Sequence, residues 1–344
     1  MATKRILYAN LSTAVAPNGS TTYAKVNGIQ STGLSTRFQL EQVFQQGQLA
    51  IYDNIEGIPD VEVTIERVLD GSCPLFLRAT QGSPAATLVG RSNAKCAIGV
   101  STYSDLNSSA SGVVVSQAVM SGLFVSTLGY SFPVQGNATE SVTLVGNNRT
   151  NLLSFTAPTF NNADSPMAGS ASGYTQQRWD FLFGPTDSTV VSKSLLPTEI
   201  PGITASGTNE LDGEGNYAVH VQSIRVNTSL GRESMFEQGR KGAYHRYVNF
   251  PVEVTTEIEV MATQLDTIEA LEDADPNTTN QRIYLMTKEG LHLDLGSSNR
   301  VQSVSFSGAN AGANGGNATN TYSYRNYNDL TVLHPQDVTT ALRP

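Results

Sequence analysis

The chain repeats itself, and that repetition limits its fold more than any other feature. Val26-Asn27-Gly28-Ile29 returns as Val221-Gln222-Ser223-Ile224. Phe44-Gln45-Gln46-Gly47 returns as Phe236-Glu237-Gln238-Gly239. Val61-Glu62-Val63-Thr64 returns unchanged at 252–255, and Gly136-Asn137-Ala138-Thr139 returns unchanged at 316–319. The four offsets are 195, 192, 191 and 180 residues, in order and drifting slowly. A chance tetrapeptide identity has odds of roughly 1 in 10⁴ to 10⁵ at ordinary residue usage. One match in 344 residues would mean little. Two on nearly one diagonal, with a matching glycine-ended segment between them, mark two copies of one module.

The reading is a mainly β chain with an N-terminal arm (1–19), a first module (20–150), a connector (151–215), a second module (216–335) and a tail (336–344). Short runs of alternating Val, Ile, Thr, Tyr and Phe lie between Gly, Asn, Asp and Ser clusters, as strands do. Examples are 61–68, 112–130, 252–260 and 303–306. Two helices are expected. Thr36 to Gln46 opens on a Thr36/Gln39 capping box, sets Leu40, Val43 and Phe44 on one face and ends at Gly47. Leu230 to Gln238 ends likewise at Gly239. The connector carries the single tryptophan, Trp179, and the apolar stretch 192–203. It is too apolar for a free linker and is expected to dock on a neighbouring surface.

The repeated strand has two unlike faces. Period-2 alternation sets Val61, Val63 and Ile65 opposite Asp60, Glu62, Thr64 and Glu66. In the second copy Val252, Val254, Ile258 and Val260 lie opposite Glu253, Thr255, Glu257 and Glu259. Each copy thus has an apolar core face and an acidic outer face. A cavity enclosed by such faces would repel a polyanion.

Charged residues are only 15% of the chain and the formal net charge is −9. That argues against phosphate-gripping nucleic-acid recognition and against docking on an anionic membrane. No apolar run approaches the roughly 18 residues of a membrane span, and the stretch after Lys4-Arg5 is broken by Asn10 and Ser12, which disfavours a secretory leader. Cys73 and Cys96 make no disulfide framework and are expected reduced. His220, His245, His292 and His334 show no metal-ligand spacing. Gly169 to Gly173 is no nucleophile elbow, and the acidic turns 212–216 and 272–275 lack calcium-loop order. No catalytic, metal-binding or cofactor-binding residue can be nominated, so the chain is read as a non-enzyme.

The segment Val226 to Val260, "VNTSLGRESMFEQGRKGAYHRYVNFPVEVTTEIEV", resembles the helix-to-strand segment of bacteriophage tail tube proteins. A weaker version, "STRFQLEQVFQQGQLAIYDNIEGIPDVEVTIERV", stands in the first copy. The resemblance covers about 40 residues in each. It implies two tandem antiparallel β-barrel or sandwich modules, each with one flanking short helix. It further implies six-module rings that stack into the hollow conduit of a virion tail, assembled in the host bacterial cytoplasm. Most members of that family carry one module per chain. With two, three chains complete the ring as a homotrimer imitating a hexamer.

The partners implied are further copies of the chain, the tape measure, the baseplate or tip, the terminator and, around a contractile tail, a sheath. Double-stranded DNA would be non-adhering cargo. Under this reading Glu62, Glu66, Glu253, Glu257 and Glu259 face the lumen. The Gly-rich segments holding Gly136 and Asn137, and Gly308, Gly312, Gly315 and Gly316, make ring-to-ring contacts. A baseplate hub, a terminator or a capsid decoration protein remains open, as does a glycan-binding surface domain.

Overall fold

A computed structural model describes residues 6–104, 114–152, 159–161, 175–181, 194–197, 200, 220–262, 265, 268, 281–288, 290–308 and 316–337. The chain is mainly β. The first half contributes β1 (Leu11–Pro17), β2 (Thr22–Lys25), β3 (Ile29–Arg37), β4 (Leu40–Phe44), β5 (Ile51–Glu56) and β6 (Asp60–Val68). Two short helices follow, α1 (Leu75–Ala79) and α2 (Leu88–Ser92). Then come β7 (Cys96–Tyr103), β8 (Val114–Pro133), β9 (Thr139–Gly146), β10 (Asn148–Leu152) and β11 (Thr159–Asn161). The second half supplies β12 (Val221–Ser229), β13 (Arg232–Met235), β14 (His245–Val248), β15 (Glu253–Met261) and β16 (Tyr284–Met286). It closes with β17 (His292–Asp294), β18 (Arg300–Ser307), β19 (Thr319–Tyr327) and β20 (Thr331–Leu333).

Eight strands form one antiparallel run in the order β3-β6-β9-β8-β12-β15-β19-β18. The first four and the last four have the same plan. Each opens with a strand bulged near its start, at Ile29/Ser31 and at Val221/Ser223. Each ends in a hairpin pair with a bulge at the same place, Val125/Thr127 in β8 and Val301/Ser303 in β18. The halves join edge to edge where β8 pairs β12, with Leu128 opposite Thr228, Tyr130 opposite Val226 and Phe132 opposite Ile224. β8 is 20 residues long and serves two sheets. Its beginning pairs β7 and β10, and its end pairs β9 and β12. Through β7 it carries β1, so residues 11–17 of the segment read as an arm form a buried strand.

The two expected helices are absent, and hairpins stand in their place. Residues 36–46 hold the end of β3, β4 and the start of a turn; 230–238 hold β13 and the start of its turn. The shared glycine explains both the error and the repeat. Gln48 N–H donates to Gln45 O and Arg240 N–H to Glu237 O, with Gly47 at φ +87° and Gly239 at φ +86°. A positive φ at the third position of such a turn is what glycine supplies in a type II turn. The same residue would cap a helix, and a run as short as Leu40, Val43, Phe44 fits either period.

The core face of the sheet is the one that alternation predicts. Val61, Val63, Ile65, Val252, Val254, Ile258 and Val260 are buried against Leu75, Phe76, Leu77 and Leu88 of the helices and Leu293 and Val332 of the β16-β17-β20 sheet. α1 is too short to hold itself by local bonds. A buried carboxylate fixes it: Glu140 accepts hydrogen bonds from Leu75 N at 2.7 Å, Phe76 N at 3.0 Å and Tyr130 Oη at 3.0 Å. Burial first, then Glu140, raises the Tyr130 phenol well above its ordinary range, so it stays a donor. Arg67 stands 4.0 Å from Glu140 and bonds Asp70 and Cys73 O. A second buried pair, Arg91 with Asp337, ties α2 to the end of the described chain. Cys73 and Cys96 are free and buried, and burial pushes both thiols up to about 12.

Several described residues of 151–215 pack on the rest of the chain, while Trp179 stands half exposed. Gln176 bridges Leu69 and Ala138 by backbone hydrogen bonds, Leu195 pairs with Tyr284, and Leu196 and Ile200 are buried.

Candidate functional site

The five nominated carboxylates lie on the outer face of the eight-stranded run in two groups, on β6 and on β15, with β9, β8 and β12 between them. Glu62 and Glu66 on β6 and Glu253, Glu257 and Glu259 on β15 project from the side opposite the core. Between them the face is hydroxyl- and amide-rich, with Thr127, Gly129, Ser141, Asn227, Ser229 and Thr255 around a shallow groove. Ser31 Oγ donates to Glu66 at 3.5 Å and Ser223 Oγ to Glu259 at 3.0 Å.

The register adds arginines that the acidic-strand reading missed. Arg225 lies directly opposite Glu257, and Arg300 opposite Arg325. Arg325 Nε pairs with Glu253 Oε1 at 2.8 Å. A direct cross-strand partner shares its neighbour's face. This outer face is therefore polar and partly charge-balanced, and Glu253 is neutralised locally. The signal was present in the alternation of 221–229 and 319–327, but pairing partners cannot be chosen before the topology is known.

Gly136, Asn137, Gly308 and Gly316 lie at the opposite end of the sheet from the β4–β5 and β13–β14 hairpins. Gly136 has φ +107° and Gly308 φ +96°. Asn137 Oδ1 accepts from Gln177 Nε2 at 2.7 Å, so the connector braces this turn. Gly316 is exposed, while Gly312 and Gly315 lie outside the described residues.

The most informative surface is one that sequence reading did not single out. β3 pairs only β6 and β18 pairs only β19 among the described residues, so the run ends in two open edges. Both carry apolar side chains on the core side: Leu34 on β3 is 36% exposed and Phe306 on β18 is 49% exposed. Their counterparts at the internal join are covered. Phe306 faces Asn320 as Tyr130 faces Glu140, and Tyr130 is 2% exposed. Leu34 faces Val63 as Thr228 faces Val254, and Thr228 is 6% exposed. Repeating the β8–β12 register between β18 and β3 of another copy would set Val304 opposite Leu34 and Phe306 opposite Thr32. An exposed strand edge with apolar residues is a template for further pairing.

No protein-family model matches the chain, and no curated protein matches it. Among solved structures, it is similar to a chain of the anti-feeding prophage baseplate, solved by cryo-EM with six-fold symmetrisation. Identity is 14%, over 44% of this chain and 97% of that one, with a TM-score of 0.34. It is also similar to a chain of the anti-feeding prophage tube-terminating cap, at 16% identity over 45% of this chain and 95% of that one, TM-score 0.34. A third is from the PVC sheath–tube complex of an extracellular contractile injection system in its extended state. There identity is 12%, over 44% of this chain and 95% of that one, TM-score 0.33.

Proposed function

We propose that this chain is a structural virion protein that assembles into rings of three copies, and that the rings stack into the hollow tube of a phage tail. One observation carries the reading: two like four-stranded halves share one sheet, and its free edges repeat the halves of the internal join. A head-to-tail contact whose rotation divides a full turn closes into a ring. Closing a sheet on itself removes its edges. Eight strands per chain would become a wall of twenty-four, with the core side outward and the Ser/Thr/Glu face inward. Three chains would contribute fifteen of the nominated carboxylates to the bore. Negative-stain microscopy of the purified protein tests this: rings or tubes are expected, and a monodisperse monomer at every concentration would sink it.

The inner face is suited to passing DNA without holding it. The lumen role of Glu62, Glu66, Glu253, Glu257 and Glu259 predicts a gain of adhesion on charge reversal. Glu62, Glu66, Glu257 and Glu259 each changed to Lys should leave rings intact and create duplex binding that falls steeply with salt. Filter binding across a salt series reads it. Unchanged, negligible binding would show that these side chains do not face the bore.

Stacking is proposed to use the Gly-rich end of the sheet, around Gly136, Asn137, Gly308, Gly312, Gly315 and Gly316. Deleting 308–316 should leave rings and stop tube growth, as judged by microscopy; tubes of ordinary length from that variant would count against it. A baseplate hub or tail terminator built on the same trimer would occur once per particle, whereas a tube protein occurs in dozens of rings. Quantitative mass spectrometry of virions separates the two.

A further inference from the structure

The two hairpins are counterparts by sequence and by turn geometry, yet they have opposite fates. β13–β14 folds back across the β8–β12 join onto the first half of the same chain. Arg232 Nε donates to Val125 O at 2.8 Å, and Arg246 Nη2 pairs with Asp60 Oδ1 at 2.8 Å. The His245 ring meets Phe124 edge-on, 4.9 Å between centroids. Arg246 and Val248 are buried as a result. β4–β5 stands alone as a two-stranded sheet, with every residue of β5 exposed. Large apolar side chains stand exposed on both of its faces, Leu40 and Tyr52 on one, Phe44 and Ile55 on the other, with Leu49 in the turn. An isolated hairpin of this kind is marginal in water, and this much exposed apolar area on both faces points to a contact site.

The difference follows from position. The half that would receive β4–β5 lies beyond the free edge of β3, in another copy. We propose that the β4–β5 hairpin is a clasp that crosses the seam between two chains of one ring and docks on the second half of the neighbouring copy. This rests on the ring reading above and names its partner surface. The receiving residues follow from the internal offsets. Phe124 corresponds to Arg300, since each faces its partner strand at Val145 and Arg325 respectively. Pro59 and Asn147 line the same cavity as Phe124, Tyr244 and Arg246; by the 191-residue and 180-residue offsets they correspond to Phe250 and Tyr327. Phe250 is 67% exposed and Tyr327 51%, two large side chains open at the predicted landing place.

The chemistry of the two surfaces matches. Between residues 38 and 66 there is no Lys or Arg, and the hairpin strands carry Glu41, Asp53 and Glu56 beside their apolar residues. The landing surface offers aromatic rings and the exposed cation Arg300. In the internal copy the polarity is reversed, with arginines on the hairpin and Asp60 beneath. Each hairpin is thus fitted to one target.

The test uses full-length protein carrying a benzoylphenylalanine photocrosslinker at Phe44 or, separately, at Tyr52. Oligomeric state is measured by mass photometry before irradiation, and linked peptides are mapped by mass spectrometry. The expected result is trimers, with cross-links joining one copy to residues near 247–251, 300 or 327 of another, and covalent products ending at three chains. Trimers whose cross-links fall within one chain, or reach the Gly-rich end near 136 or 316 of another copy, overturn the clasp and leave the ring. A chain that never forms trimers overturns both. Both probes sit on exposed side chains, so neither burdens the fold.

Discussion

Phe306→Lys is expected to abolish ring formation while leaving the monomer folded. Phe306 lies on the open edge strand β18, half-exposed, at the position where the internal join holds the buried Tyr130. A lysine there would place an ammonium against the apolar side of the neighbouring edge, opposite Thr32 and beside Leu34. Charged residues on edge strands are how natural sheets prevent such pairing. Burying an unpaired ammonium costs several kcal/mol at least, so the dissociation constant should rise by two orders of magnitude or more, since each 1.4 kcal/mol is tenfold. Sedimentation velocity over a concentration series reads the shift, with far-ultraviolet circular dichroism as the check on folding. Wild-type association from that variant would remove the edge-pairing account. Leu34→Lys should act in the same way from the other side of the seam.

Glu140→Ala should be among the most damaging single changes to the monomer. The substitution leaves Leu75 N–H, Phe76 N–H and the Tyr130 hydroxyl without their acceptor and deprives Arg67 of a nearby carboxylate, all in the interior. Removing one partner from a buried, hydrogen-bonded charge costs about 3–5 kcal/mol. The thermal midpoint should fall by on the order of 10 °C. Because Glu140 anchors α1 across the core face of β6 and β9, loss of near-ultraviolet dichroism should accompany the fall. A shift within about 2 °C would mean that water replaces the carboxylate readily and that α1 is held by its apolar side chains alone.

The repeat was legible in the sequence because identical short strings survive where geometry is least forgiving. Val61 to Thr64 and Val252 to Thr255 need a strand with one dry face, and the two glycine-ended turns need a positive φ. The dry faces, and so the sides on which Glu62 and Glu257 project, followed from alternation alone. The hairpins were misread as helices because Leu40, Val43 and Phe44 satisfy a helical period over too short a span, and β4 itself is bulged between Val43 and Phe44. The open edges at Leu34 and Phe306 were hidden for a different reason. Whether a strand is central or terminal depends on pairings between residues far apart in the chain, Val61 with Gly146 or Val226 with Tyr130, and side-chain patterning does not encode those. The arginines opposite the acidic strand were invisible for the same cause.

Covalent union of the halves changes how a closed wall comes apart. Where six separate pieces would meet at six breakable seams, the proposed ring of three doubled chains would have three of them, the β8–β12 joins, made permanent. Partners at those joins face one another at an effective concentration that dilution cannot lower. Closure then scales with the third power of protein concentration instead of the sixth, so rings would persist in far thinner solution. The remaining three seams, each proposed to be crossed by an arm from its neighbour, become the places where a ring can open.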